Sequence, residues 1–81
     1  MSTEHENAKN ELYTFRYGNE PLSPIVTYRS NLIAAVQNHA QAAQNAEIRN
    51  FSTESVTDAK FERFLNIAKP AHFKIYKVLE L

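Results

Sequence analysis

The chain has 81 residues, no cysteine, and nine basic residues that balance nine acidic ones. This length fits one domain, and the lack of cysteine excludes disulfides and thiolate zinc sites and favours a reducing compartment. Nucleic-acid binding by long-range attraction usually needs a clearly basic chain, so any such binding would need a local patch. We expect a cytoplasmic protein with no membrane partner, because neither a secretory signal nor an apolar run of about 20 residues is present.

Both ends of the predicted domain alternate with a period of two, which is typical of strands. We expect residues 1–10, which are polar, to form a flexible tail, and residues 11–81 to form the domain. The first strand presents an aromatic face that we expect in the core, comprising Tyr13, Phe15 and Tyr17. The second strand, over residues 72–81, presents an apolar face comprising Phe73, Ile75, Leu79 and Leu81.

A long helix is predicted over residues 24–46. Ser23 is a suitable N-cap, and Pro24 suits the first helical position. The apolar stripe at helical spacing comprises Ile25, Tyr28, Leu32, Val36, His39, Ala40 and Ala43. The opposite side carries amides and hydroxyls rather than charges, which is unusual for a solvated face. Its candidate partner-binding residues are Gln37, Asn38, Gln41 and Asn45. The simpler interpretation is a helix packed tightly on its own sheet.

The segment after this helix allows two interpretations. Residues 47–52 fit either a short strand or a last helical turn followed by a loop. A second helix then follows, with Ser55 and Asp58 at the spacing of a capping box and Pro70 at its end. Its apolar stripe comprises Phe61, Phe64, Leu65 and Ala68, and its polar side comprises Glu62, Asn66 and Lys69.

These elements predict a small two-layer α+β domain, in which two helices pack on a two- or three-stranded sheet in the order β-α-(β)-α-β. A sheet of two strands is marginal in water unless it is covered or extended. A symmetric homodimer through the long helix or through the C-terminal strand would stabilise such a sheet.

No local motif supports catalysis. The histidines His5, His39 and His72 have no second ligand at helical or hairpin spacing, and one glycine cannot build a phosphate-binding loop. We therefore predict that the protein is not an enzyme and holds no metal or cofactor. The remaining alternative is a site that the fold assembles around His39 or His72, because such sites leave no sequence motif.

Positive charge is concentrated near the last strand. The candidate nucleic-acid-binding residues are Lys69, His72, Lys74, Tyr76 and Lys77. Basic residues beside an aromatic ring can hold a phosphate backbone and stack a base. The simpler interpretation is a solvated edge strand whose lysines deter aggregation.

Two functions follow as hypotheses. The first is a small interaction or regulatory protein, an adaptor or inhibitor of the kind that phages and mobile elements often encode, which binds another macromolecule. The second is a nucleic-acid-binding module that uses the basic C-terminal strand.

Overall fold

A computed structural model describes residues 11–78, so the predicted tail lies outside the described residues. Two antiparallel strands, β1 (Leu12–Tyr17) and β2 (Phe73–Val78), form the sheet. Three α-helices lie between them in the chain. The prediction of a small domain that mixes helices with a short sheet is confirmed. None of the helices within the described part is long and apolar enough to cross a membrane.

The register of the two strands places the aromatic side chains of β1 against the apolar side chains of β2. Phe15 lies opposite Ile75, and Tyr17 lies opposite Phe73. Tyr13 and Phe15 are buried, as predicted for a core face, and Tyr17 is half-buried. The alternating side chains therefore set which face of the sheet turns towards the core.

The prediction of one helix over residues 24–46 is wrong. Its first part is extended, and helix α1 comprises only Arg29–Gln37. The amide of Ser23 donates to the carbonyl of Phe15 at 2.8 Å. Thr27 and Tyr13 exchange two backbone hydrogen bonds of 2.8 and 3.0 Å. The segment from Ser23 to Thr27 therefore lies along the edge of β1 that faces away from β2.

Local chemistry explains why this segment is extended. Ser23 does not cap a helix; its hydroxyl accepts a hydrogen bond from the amide of Ile25 at 3.1 Å. Pro24 disfavours helical geometry in the residue before it. The next four residues, 25–28, are β-branched or aromatic, and such side chains favour extended backbone.

The second part of the predicted helix is broken by side-chain caps. The chain continues as a 3₁₀ helix (Ala40–Gln44) and then as a one-turn helix, α2 (Ala46–Arg49). His39 Nδ1 accepts from the amide of Gln41 at 3.1 Å, and Asn45 Oδ1 accepts from the amide of Ile48 at 3.1 Å. Such bonds offer the backbone an alternative to a continuous helix. The open choice over residues 47–52 is settled as a helical turn followed by a loop, so the described chain has no third strand there.

The second predicted helix is confirmed as α3 (Asp58–Ala68), but its predicted cap is wrong. Thr57, rather than Ser55, accepts the hydrogen bond from the amide of Lys60, at 3.2 Å. Ser55 has a φ of 50°, so it lies in a left-handed turn before the helix begins. A short 3₁₀ helix (Lys69–Ala71) then turns the chain into β2.

The core joins both strands to all three helices. Its largest fully buried side chains are Phe64, Leu32, Ile33, Ile48 and Val36. The ring of Phe61 lies 4.8 Å from that of Tyr13, which ties α3 to β1. These contacts fix α3 close to the sheet and so determine what surrounds β2.

Gln37 is a structural side chain that fixes α2 and the following loop. Its Nε2 donates to the carbonyls of Ile48 at 2.9 Å and Phe51 at 2.8 Å.

Gln37→Ala should lower the free energy of unfolding by about 1–3 kcal/mol, because two partly buried carbonyls lose their donor. Urea unfolding followed by circular dichroism measures this change. Gln41→Ala, at an exposed position, should stay within about 0.5 kcal/mol of the wild type. Equal effects of the two substitutions would contradict the role of Gln37.

Candidate binding groove at the open sheet edge

The four amide residues predicted to meet a partner do not share one helix face. Gln37 ends α1 and Asn38 follows it, Gln41 lies in the 3₁₀ helix, and Asn45 links that helix to α2. The side chains of Gln37 and Asn45 bind backbone groups of their own chain. Asn38 and Gln41 are exposed, and they are the two members of this set that present free surface.

The second predicted set is split between two faces of β2. Lys74 and Tyr76 lie on the face turned away from the core, opposite Arg16 and Thr14 of β1. Lys77 lies on the other face, where its Nζ binds Glu11 Oε2 at 2.9 Å. Lys69 and His72 flank the turn before the strand, and all five residues of the set are exposed. The structure therefore brings Lys69, Lys74 and Tyr76 together but assigns Lys77 to an ion pair.

The backbone hydrogen bonds show which edge of the sheet is open. Tyr13 and Phe15 direct backbone groups away from β2, towards Thr27 and Ser23. Residues that face each other in an antiparallel pair alternate between bonded and non-bonded pairs. The partners of Tyr13, Phe15 and Tyr17 in the register are therefore in non-bonded pairs. It follows that the N–H and C=O groups pointing away from β1 on β2 are those of Phe73, Ile75 and Lys77.

The two edges of the sheet differ. The outer edge of β1 is covered by the segment from Ser23 to Thr27. No other element pairs with the outer edge of β2 within residues 11–78. An open edge presents a row of backbone donors and acceptors that another strand can bind. The described part of the molecule therefore has one covered edge and one open edge.

A groove of about 530 Å³ runs between the open edge and α3. We call it the β2 groove, and its lining residues are Glu62, Leu65, Asn66, Lys69, Phe73, Lys74, Ile75 and Tyr76. Four consecutive residues of β2 line it, so the groove follows the strand edge itself. Three of the lining residues, Glu62, Asn66 and Lys69, are those that helical spacing placed on the polar side of the second helix. Neither this spacing nor the alternation of β2 could show that the helix and the strand flank one groove.

The β2 groove has an apolar floor and charged ends. Leu65, Phe73 and Ile75 are buried or half-buried, whereas Glu62 and Lys69 are exposed. Glu62 and Lys69 are seven positions apart, which spans about 10 Å in a helix, and this matches about 10 Å for the three steps from Phe73 to Tyr76 in the strand. Because β2 folds back along α3, Lys69 lies near the start of the strand and Glu62 near its later part. The groove is therefore positive at one end and negative at the other.

The outer face of the sheet beside the groove carries free positive charge. The guanidinium carbon of Arg16 lies 5.7 Å from the centre of the Tyr76 ring, a cation–π contact. Arg16, Lys69 and Lys74 have no acidic side chain within 4.0 Å among residues 11–78. By contrast, Arg29 binds Asp58 at 2.6 Å. Three cations without an acidic partner in the described part of the chain therefore lie beside the β2 groove.

Glu11 holds the start of β1 to the end of β2. Its carboxylate accepts a hydrogen bond of 2.6 Å from the Tyr13 hydroxyl and binds Lys77. The Tyr13 hydroxyl, followed by Lys77, lowers the pKa of Glu11 below its ordinary value of 4.5. Burial, followed by the Glu11 carboxylate, raises the pKa of Tyr13, and Glu11 raises that of Lys77. This cluster closes the end of the sheet beyond the groove.

His39 and His72 flank the ring of Tyr17. The ring of His39 lies 5.4 Å from that of Tyr17, and the ring of His72 lies 6.3 Å from it on centroids. His39 Nδ1 accepts from a backbone amide, so Nε2 is the nitrogen that donates to Glu20 Oε1, 3.2 Å away. Both ring nitrogens of His39 are therefore engaged in holding the chain, and this arrangement favours a structural role. Within residues 11–78 no group of three or more His, Cys, Asp or Glu residues is placed to hold a metal ion.

No protein-family model matches the chain, and neither a curated protein sequence nor a solved structure matches it. Function is therefore inferred from the geometry of the described residues.

The Glu11 cluster should make stability sensitive to acid. Because folding lowers the pKa of Glu11, its contribution is complete above the unfolded pKa and is lost as the pH falls through the folded pKa. The difference in free energy of unfolding between the wild type and Glu11→Gln should therefore shrink as the pH falls below about 4.5. Urea titrations over this range measure the difference. Lys77→Gln should reduce the same pH dependence, whereas Lys74→Gln, on the opposite face, should leave it unchanged. A constant difference between wild type and Glu11→Gln at every pH would contradict this account.

Proposed function

We propose that the protein is a small non-enzymatic interaction protein, an adaptor or inhibitor, that binds an extended segment of another protein at the open edge of β2. The observation that carries this proposal is the row of outward backbone groups on Phe73, Ile75 and Lys77 beside a groove that follows the strand. Addition of a strand to a sheet edge is a recurring way in which proteins bind peptides.

The binding mode follows from the geometry of a strand. A segment paired with β2 exchanges backbone hydrogen bonds with Phe73, Ile75 and Lys77, and each contributes about 0.5–1.5 kcal/mol. Every second side chain of the segment points into the β2 groove and contacts Leu65 and Ile75. The intervening side chains lie on the outer face. Main-chain bonds thus supply affinity, and the groove selects apolar side chains at alternate positions.

Charge narrows the class of segment. Lys69 and Lys74 stand at the end of the groove where β2 begins, and neither has an acidic partner among the described residues. An acidic side chain of the bound segment at this end would form an ion pair with Lys69 or Lys74. The preferred segment is therefore extended, apolar at every second position and acidic at the end that lies beside Lys69.

Peptide selection tests the proposed function. Random decapeptides displayed on phage and selected against the full chain should yield segments with apolar residues at alternate positions. A selected peptide that is N-methylated on every second residue in one phase should bind about tenfold or more weakly, because the carbonyls of the edge lose the N–H donors of the peptide. Methylation in the other phase should leave the affinity, measured by calorimetry, unchanged.

The protein offers a matched control for the same experiment. Ile75→Pro removes one outward N–H, whereas Ile75→Val keeps it and alters the side chain little. Ile75→Pro should weaken the selected peptide about tenfold, and Ile75→Val should bind it as the wild type does. Tolerance of methylation in both phases, or equal binding by both variants, would reject strand addition at this edge.

Binding of single-stranded nucleic acid is a second candidate function. The exposed ring of Tyr76, with Arg16 over it and Lys74 on the same face, is the observation that favours it. A base can stack on such a ring while the cations hold phosphates. The set of cations beside this ring is small, so this binding would depend on few phosphate contacts.

Electrophoretic mobility shifts distinguish the second candidate. Single-stranded oligonucleotides should be retarded at low salt, and log K should fall with log salt with a slope of about −2, because three cations, Arg16, Lys69 and Lys74, lie beside Tyr76. Tyr76→Ala and Lys74→Ala should each abolish the shift, whereas Lys60→Ala, whose ammonium binds Ser52 at 3.1 Å, should retain it. Absence of retardation at low salt would reject this candidate.

A further inference from the structure

We infer that a second copy of this chain occupies the open edge of β2, so that two chains form one continuous four-stranded antiparallel sheet. The inference rests on the proposed function of this edge and names the strand that fills it in the absence of another partner. Three properties of the edge and groove, namely register, cross-strand pairs and charge polarity, fit an identical strand in antiparallel orientation.

The register follows from the positions of the outward backbone groups. A two-fold axis at Ile75 places Ile75 opposite the same residue of the second copy and Phe73 opposite the second copy's Lys77. By symmetry, Lys77 also lies opposite the second copy's Phe73. All three pairs are of the bonded type and exchange two hydrogen bonds each, so every outward group of Phe73, Ile75 and Lys77 is satisfied. A shift of the axis by one residue leaves one of these three residues without a partner in the described strand.

The same register matches side chains on the outer face. Lys74 lies opposite the second copy's Tyr76, and Tyr76 lies opposite the second copy's Lys74, so two cation–π contacts form across the axis. A shift of the axis to residue 74 would instead place Lys74 opposite its own copy, and like charges directly opposite each other are destabilising. The cross-strand pairs therefore favour the axis at Ile75.

The charged ends of the β2 groove are complementary under this symmetry. An antiparallel pair brings the start of one β2 to the end of the other, so the positive end of one groove meets the negative end of its partner. Lys69 of each chain is then directed towards the second copy's Glu62, and both contacts repeat by symmetry. The apolar floors formed by Leu65, Phe73 and Ile75 meet at the centre.

The assembly is closed. After pairing, the outermost strands are the two copies of β1, and each is covered by its own segment from Ser23 to Thr27. The open edges of both β2 strands are then used and both β1 edges are already covered, so an isologous dimer forms rather than a fibre. An extended segment of another protein must displace the second copy, which makes self-association a competitor of partner binding.

Sedimentation equilibrium of the full chain at micromolar concentration tests the inference. We expect a mass of twice 9.3 kDa for the wild type and a monomer for Ile75→Pro, with Ile75→Val as the dimeric control.

Glu62→Lys and Lys69→Glu alone should each weaken self-association about tenfold, because opposite charges become like charges. An equimolar mixture of these two single variants should regain the wild-type affinity, because each heterodimer contact then pairs opposite charges. The double variant Glu62→Lys/Lys69→Glu should regain it as well.

The outcomes separate this inference from the proposed function. A monomeric wild type that still binds selected peptides in one methylation phase overturns the dimer and leaves strand addition intact. A monomeric wild type from which no such peptide can be selected overturns both. A dimer that is unaffected by Ile75→Pro and by the charge exchange has its contact elsewhere, which also overturns the inference. The mixture of charge variants decides the question if Ile75→Pro fails to fold.

Discussion

The backbone pairing of Tyr13 with Thr27 is the constraint on which the rest of the structure depends. It holds the segment before α1 against β1, so that β1 is paired on both sides and β2 on one. It also requires four apolar side chains of that segment to stay about half exposed, namely Leu22, Ile25, Val26 and Tyr28. The segment thus covers the outer edge of β1 while its own apolar side chains stay partly exposed. The outer edge of β2 stays open and is the edge available for binding.

Short side-chain bonds, rather than long regular elements, organise the region between the strands. His39, Asn45 and Thr57 each accept a hydrogen bond from a backbone amide at the start of a helix. Gln37 binds two carbonyls across the same region. These bonds let the chain turn three times within about 20 residues while its polar backbone groups keep partners. The result is a support that places α3 beside β2 and so forms one wall of the groove.

The charged side chains of this molecule differ in whether they form ion pairs within the chain. The net charge is zero, yet the charges are not evenly used. Lys77 and Arg29 bind acidic groups at the end of the sheet that Glu11 closes, whereas Lys69, Lys74 and Arg16 have no acidic partner among residues 11–78. A formal balance therefore conceals a local positive region beside the open edge, which explains why composition excluded a broadly basic surface but not a small one.

The sequence by itself predicted both strands, the helix over Asp58–Ala68 and the buried aromatic face of β1, because alternation and helical spacing are local properties of the chain. The second strand begins at Phe73 rather than at the predicted His72, which lies in a left-handed turn. It did not determine where α1 begins. Residues 25–28 show helical spacing, yet their β-branched and aromatic side chains also favour extended backbone. The pairing of Thr27 with Tyr13 decides for the extended form. The open edge of β2 and its groove were likewise decided by tertiary structure. A strand's residues show which side chains alternate, but which neighbour covers each edge depends on contacts between residues far apart in the chain.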